Sequence, residues 1–132
     1  MPRATQLNLD LANHIGTLSK LCRDLADAGV NLLALSAQEE GGGKGVIRLL
    51  VANRDLAQTA LKKAGYVLSA EEVLFEEIKN RPGALAKTVE KLAKAHIDIR
   101  YAYATAHLRS EKSAVVIAVP EADFDRALRL LG

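Results

Sequence analysis

The chain has 132 residues and a mass of 14.2 kDa, enough for one ordinary domain or two very small ones. Its 18 Lys and Arg stand against 16 Asp and Glu, and a net charge of +2 argues against nucleic acid or an anionic membrane as partner. Apolar residues make up 49%, Trp is absent, and the lone Cys22 excludes an internal disulfide or a zinc site of paired thiolates.

The first residues carry no signal-type apolar stretch, and no run approaches the ~20 apolar residues that span a bilayer. The expectation is a soluble, cytoplasmic protein with an aliphatic core. Leu7, Leu9 and Leu11 alternate with polar residues, the period of a half-buried strand. A short turn ends in Gly16. Leu18, Leu21, Cys22 and Leu25 then recur at helical spacing, and Gly29 closes the helix. Residues 30–38 read as a second strand. The glycine-rich run 41–45 reads as a hairpin, 46–51 as a third strand, and Leu56, Ala57, Ala60, Leu61 and Ala64 as a second helix closed by Gly65. Residues 66–68 read as a short fourth strand.

The same order then returns. Residues 73–78 form a strand, with Glu76 interrupting the face shared by Leu74 and Ile78. Leu85, Val89 and Leu92 mark a helix, 97–106 and 114–119 are paired strands, and Phe124, Ala127, Leu128 and Leu131 mark a last helix. A shift of 67 residues superposes the copies: Asn13 falls on Asn80, Gly16 on Gly83, Leu18 on Leu85, Lys20 on Lys87, Leu25 on Leu92 and Gly65 on Gly132. The identities concentrate at one turn and the helix after it.

The predicted class is therefore α+β: two ferredoxin-like βαββαβ units in tandem, residues 1–71 and 72–132, each an antiparallel sheet with helices on one face. Nothing in the second copy matches residues 66–71, so it lacks a fourth strand, and another segment or chain is needed to cover that edge. Apolar residues on both faces of 73–78 predict a second buried sheet face.

The shared turn is the strongest chemical signal. In Asn80-Arg81-Pro82-Gly83-Ala84-Leu85, Pro82 sits where a missing N–H costs nothing, and Gly83 permits close approach to the backbone. Asn80 can cap the helix or offer its amide to a ligand. The first N–H groups of a helix are unpaired and attract negative charge, so a carboxylate suits the place.

The stretch from Asn80 to Ala86, followed by Ala93-Lys94-Ala95-His96-Ile97-Asp98-Ile99, resembles the ACT domain: a strand, an N-x-P-G-x-L turn, a helix, then a short hydrophobic strand. Asn13-His14-Ile15-Gly16-Thr17-Leu18 and Ala28-Gly29-Val30-Asn31-Leu32 resemble it again, with Ile15 in place of the proline. The resemblance covers nearly the whole chain twice and is to stand-alone tandem ACT proteins. It implies a regulatory homodimer that binds a free amino acid at domain interfaces, with no cofactor, no metal and no catalysis of its own. The implied ligand-binding residues are Asn80, Arg81, Pro82, Gly83, Ala84 and Leu85 with Asp98, and Asn13, His14, Ile15, Gly16, Thr17 and Leu18 with Asn31. Asn31 and Asp98 would meet the ligand's ammonium group. The alternative within the family is a ligand-free docking module or regulatory subunit for a metabolic enzyme.

Other readings are weaker. The run 41–45 joins two strands and lacks the Ser/Thr of a phosphate-binding loop. His14, His96 and His107 lack metal-ligand spacing, and Cys22 reads as a small core residue. Tyr101 and Tyr103 share a strand face, but the charge is too low for an RNA-recognition sheet. An acylphosphatase-like hydrolase shares the strand order, but Arg81 lacks that family's glycine-rich context.

Overall fold

The computed structural model of the chain describes residues 3–132. Its residues group into two compact units, Thr5–Glu71, and Glu72–Gly132 together with residues 3–4.

The first unit is built from β1 (Arg3–Ala12), α1 (Thr17–Asp27), β2 (Leu32–Gly41), β3 (Lys44–Val51), α2 (Arg54–Lys63) and the start of β4 (Leu68–Lys79). Its strands lie in the order β2-β3-β1-β4. Leu7 of β1 and Leu35 of β2 both face Leu49 of β3, each across an antiparallel pairing. This register puts Leu7, Leu9, Ile47 and Leu49 on the helix side, where they meet Leu21, Leu25, Ala57 and Leu61. Each fully buried Leu contributes about 1.5–3 kcal/mol. Two residues assigned to the inner stripes are instead 40% exposed, Leu18 and Leu56. Both lie in the first turn of their helix, before it settles onto the sheet. Cys22 is half-buried.

The second unit takes the rest of β4, α3 (Ala84–Lys94), β5 (Tyr101–Ala106), β6 (Lys112–Ala118) and α4 (Phe124–Leu131). Its strands lie in the order β4-β6-β5. Leu74, Val115 and Ile117 face Leu92, Phe124, Ala127 and Leu131. The opposite sheet face is also buried at Val73, Val116 and Ala118, as the two-sided apolar pattern predicts.

Glu76 belongs to the helix side of β4. It accepts a hydrogen bond from the hydroxyl of the buried Thr88 at 3.2 Å. In the first unit the matching positions are Leu9 and Leu21, both fully buried. An apolar sheet-to-helix contact in one copy is thus a polar pair in the other, and the hydroxyl supplies a partner for a carboxylate that burial would otherwise penalise.

The strand boundaries differ from the sequence reading most clearly in β4 and β5. Residues 66–68 and 73–78 do not form two strands: β4 is one unbroken strand over Leu68–Lys79. Residues 97–100 precede β5 rather than belong to it, although Ile97 is buried. The second unit has no strand of its own after α4. Arg3 and Ala4, at the start of β1, group with it. Arg3 lies 4.0 Å from the Glu72 carboxylate, 3.8 Å from Asp125 and 5.2 Å from the centre of the Phe124 ring.

Helix ends follow the glycine rule with one exception. Gly29, at φ 75°, ends α1 with Val30 N–H donating to the Leu25 carbonyl at 3.0 Å. His96 occupies the same place after α3 at φ 55°, with Ile97 N–H donating to the Leu92 carbonyl at 3.0 Å. A residue with a Cβ thus holds a left-handed conformation suited to glycine.

Candidate functional site

Each unit carries its turn between the first strand and first helix. After β4, Asn80 N–H donates to the Glu111 carbonyl at 2.7 Å, continuing the sheet by one bond. After β1, Asn13 N–H donates to the Gly43 carbonyl at the same distance. The glycines that follow are left-handed, Gly16 with φ 89° and ψ −5°, Gly83 with φ 86° and ψ −12°. Neither α1 nor α3 has a side-chain cap. In α3, Ala84 N–H reaches the Arg81 carbonyl at 3.3 Å and Lys87 N–H the Gly83 carbonyl at 3.0 Å. Between them, the amides of Leu85 and Ala86 have no acceptor among the described residues. These are the free first-turn donors that a helix offers to an anion.

The two turns are stiffened differently. Pro82 restricts one through its ring. In the other, Ile15 is fully exposed and restricts nothing. There the Thr17 hydroxyl donates to the Ala12 carbonyl at 3.1 Å and accepts from His14 N–H at 3.2 Å. Ala84, which matches Thr17, has no hydroxyl. Ring and hydroxyl serve the same end.

A cleft of about 450 Å³ lies beside the second turn, lined by Ile78, Lys79, Arg81, Pro82, Gly83, Ala84 and Lys87. A smaller one, about 140 Å³, lies beside the first, lined by Leu11, Ala12, Asn13, Thr17, Leu18, Ala37, Gln38, Glu39, Gly45 and Ile47. Four of the six residues assigned to the second turn therefore line its cleft, and three of six at the first. Asn80 lies outside. Its amide donates to the His107 and Ser110 carbonyls at 3.2 and 3.1 Å, so it ties down the β5–β6 loop instead of capping the helix. Leu85 also lies outside and is 41% exposed. Asn31 and Asp98 are exposed and line neither cleft; the Asn31 carbonyl accepts from Ala52 N–H at 3.0 Å. Sequence reasoning missed Lys79 and Lys87 and the β2 residues Ala37, Gln38 and Glu39. The helical spacing of Lys87 after Gly83 was the available signal for that lysine.

A third cleft of about 680 Å³ surrounds the hairpin at Gly41, Gly42 and Gly43, with Asp10, Glu40 and Lys44 at its wall. The φ of Gly42 is 62° and that of Gly43 is 71°, the left-handed pair of a tight hairpin, with no helix start to hold a phosphate.

On α1, the Asp24 carboxylate accepts from Lys20 Nζ at 2.7 Å and from the Tyr66 hydroxyl at 2.8 Å. These hydrogen bonds hold the Asp24 pKa below its usual value. The bond to Asp24 raises Lys20, and burial, then the same carboxylate, raises Tyr66. The histidines make no cluster: His14 is exposed, His96 ends α3, and His107 Nδ1 accepts from Arg109 N–H at 3.2 Å. Among the described residues no group of three or more His, Cys, Asp or Glu is placed to hold a metal ion. Among the described residues no helix is long and apolar enough to cross a membrane.

Two ferredoxin-like units, each with a left-handed glycine opening its first helix beside a cleft, define a duplicated α+β fold. The chain belongs to the ACT domain pair family, whose model matches residues 3–131. ACT domains are regulatory modules. A search of curated proteins gives no match. Among solved structures, a Bacteroides thetaiotaomicron protein is 31% identical, with a TM-score of 0.87, over 98% of this chain and 86% of its own. The ligand-free regulatory subunit of aspartate kinase from Thermus thermophilus is 20% identical, with a TM-score of 0.66, over 96% of this chain and 89% of its own. That subunit from Thermus flavus is 18% identical, with a TM-score of 0.63, over 98% and 90%. These last two share the fold.

Proposed function

We propose that this ACT domain pair is a regulatory sensor of a free amino acid, without catalysis of its own. The ligand carboxylate meets the free amides after Gly83, and those after Gly16 in the other unit. Residues Asn13, His14, Ile15, Thr17 and Leu18 surround the first turn, and Arg81, Pro82, Ala84 and Leu85 the second. Asn80 acts behind the second turn by fixing its loop. Asn31 and Asp98 lie away from the clefts of their own units, and in this reading they meet a ligand held by a second copy of the chain. That is one reason to read the protein as a homodimer. The observation that carries the proposal is the pair of unaccepted amides at Leu85 and Ala86 beside an open cleft.

Regulation follows by population shift: the ligand stabilises one arrangement of the assembly, and a partner protein responds to that arrangement. The shared fold of the aspartate kinase regulatory subunits favours an enzyme as that partner, and a docking module that binds no ligand is the competing reading. Thermal-shift screening against the twenty amino acids separates them. A sensor gains midpoint temperature as one amino acid exceeds its Kd, and a docking module gains none.

A further inference from the structure

The two clefts differ in charge far more than a duplicated unit requires. Three cations line the second one: Lys79, Arg81 and Lys87. No carboxylate joins them in the lining, and none of the three has an ion pair among the described residues. The matching positions in the first unit are Ala12, His14 and Lys20. Lys20 is the one lysine or arginine among them, and Asp24 and Tyr66 hold it away. The position matching Asp24 is Lys91. The lysine shared by both repeats is therefore neutralised in one copy and left free, with a second lysine one turn on, in the other. The charged residue lining the first cleft is Glu39.

The strand adds to this imbalance. Lys79 stands directly opposite Lys112 in the β4–β6 ladder, a like-charge pair that destabilises a sheet. Glu77 lies 3.2 Å from Lys112 and neutralises it, and Lys79 is left at the cleft. Three uncompensated cations in one concavity raise the local concentration of anions and reward a ligand with more than one negative group.

We propose that the second cleft selects a small metabolite with two acid groups, a dicarboxylate or a phosphate ester, through Lys79, Arg81 and Lys87, and that the first cleft does not. This borrows from the sensor reading only the free amides, which take the first acid group; the cations take the second.

Isothermal titration of the full chain with L-glutamate, L-aspartate, O-phospho-L-serine and inorganic phosphate, against L-alanine and L-lysine, tests it. Backbone amide shifts at Leu85 and Ala86 locate the binding. The diacids should bind here several-fold tighter than L-alanine, and salt should erode that preference. Arg81→Gln and Lys87→Gln, both at exposed side chains, should each weaken diacid binding about two- to fivefold, and Lys87→Gln should leave L-alanine binding unaffected. Preference retained in the double variant, or L-alanine bound as tightly as the diacids, overturns the inference while the sensor reading stands. Inorganic phosphate bound at Leu85 and Ala86, with no amino acid bound anywhere, keeps the anion site and removes the amino-acid reading. No binding by any of these compounds removes both.

Discussion

Gly16 and Gly83 hold nearly the same left-handed conformation, though one follows the exposed Ile15 and the other the ring of Pro82. What differs is the means of support. The Thr17 hydroxyl spans the first turn, from the Ala12 carbonyl to His14 N–H, and nothing at Ala84 does so in the second. Thr17→Ala should therefore cost about 1 kcal/mol. Adding Ile15→Pro, which copies the other turn, should recover part of it. Urea denaturation of the single and double variants measures both.

Glycine at these turns is a matter of conformation and not of crowding. A Cβ at Gly16 or Gly83 meets no atom within 4 Å, yet φ lies near 90°. Gly83→Ala should lose about 1–2 kcal/mol through backbone strain, and a ligand at the adjoining amides should bind more weakly. Thermal denaturation with and without ligand separates the two effects.

The reverse change is expected to help at the end of α3. His96 holds φ 55° where the first unit has Gly29. His96→Gly should stabilise the protein by about 0.5–1 kcal/mol, because the left-handed penalty outweighs the added freedom of the unfolded chain. A rise in melting temperature is the readout; a fall would show that the imidazole packs usefully.

Glu76 and Thr88 should behave as one unit. Thr88→Leu alone leaves the carboxylate without its donor and should cost about 1–3 kcal/mol. Glu76→Leu with Thr88→Leu restores the apolar pair of the first unit and should be close to neutral. The double-mutant cycle then gives a coupling energy well above zero.

Asp24 predicts a pH dependence with a definite sign. Its pKa is lowered in the folded state, so its contribution is present above the usual value of 3.8 and is lost as pH falls through the lower folded value. Lys20 and Tyr66 are raised, so theirs are present below the usual values of 10.5 and 10.0 and are lost as pH rises beyond them. Asp24→Asn should flatten stability at both ends of the range, as read from melting temperatures against pH.

The elements were legible because their apolar spacing is strong: Leu7 and Leu9, Leu21 and Leu25, and Phe124 with Ala127 and Leu131 are all buried. The repeat located both turns, since Gly16 and Gly83 are needed by the backbone itself. Side-chain partnerships across the sequence were not legible. Asn80 looked like a helix cap and instead holds His107 and Ser110, more than 25 residues away. Glu76 looked like an interruption because its partner lies on the following helix. Periodicity reports which face a residue occupies and says nothing about what faces it. Lys87 became informative only when compared with Lys20, whose partner the second repeat has exchanged for a lysine.

Arg3 and Ala4 open the first strand but group with the second unit, where Arg3 sits over the Phe124 ring. The C-terminal half is therefore not a self-sufficient segment of the gene. Expressed alone as residues 72–132, it would lose Arg3 and Ala4, and with Arg3 the cation stacked on Phe124 of α4. The uncovered Phe124 ring would seek a substitute in another molecule, and self-association would follow.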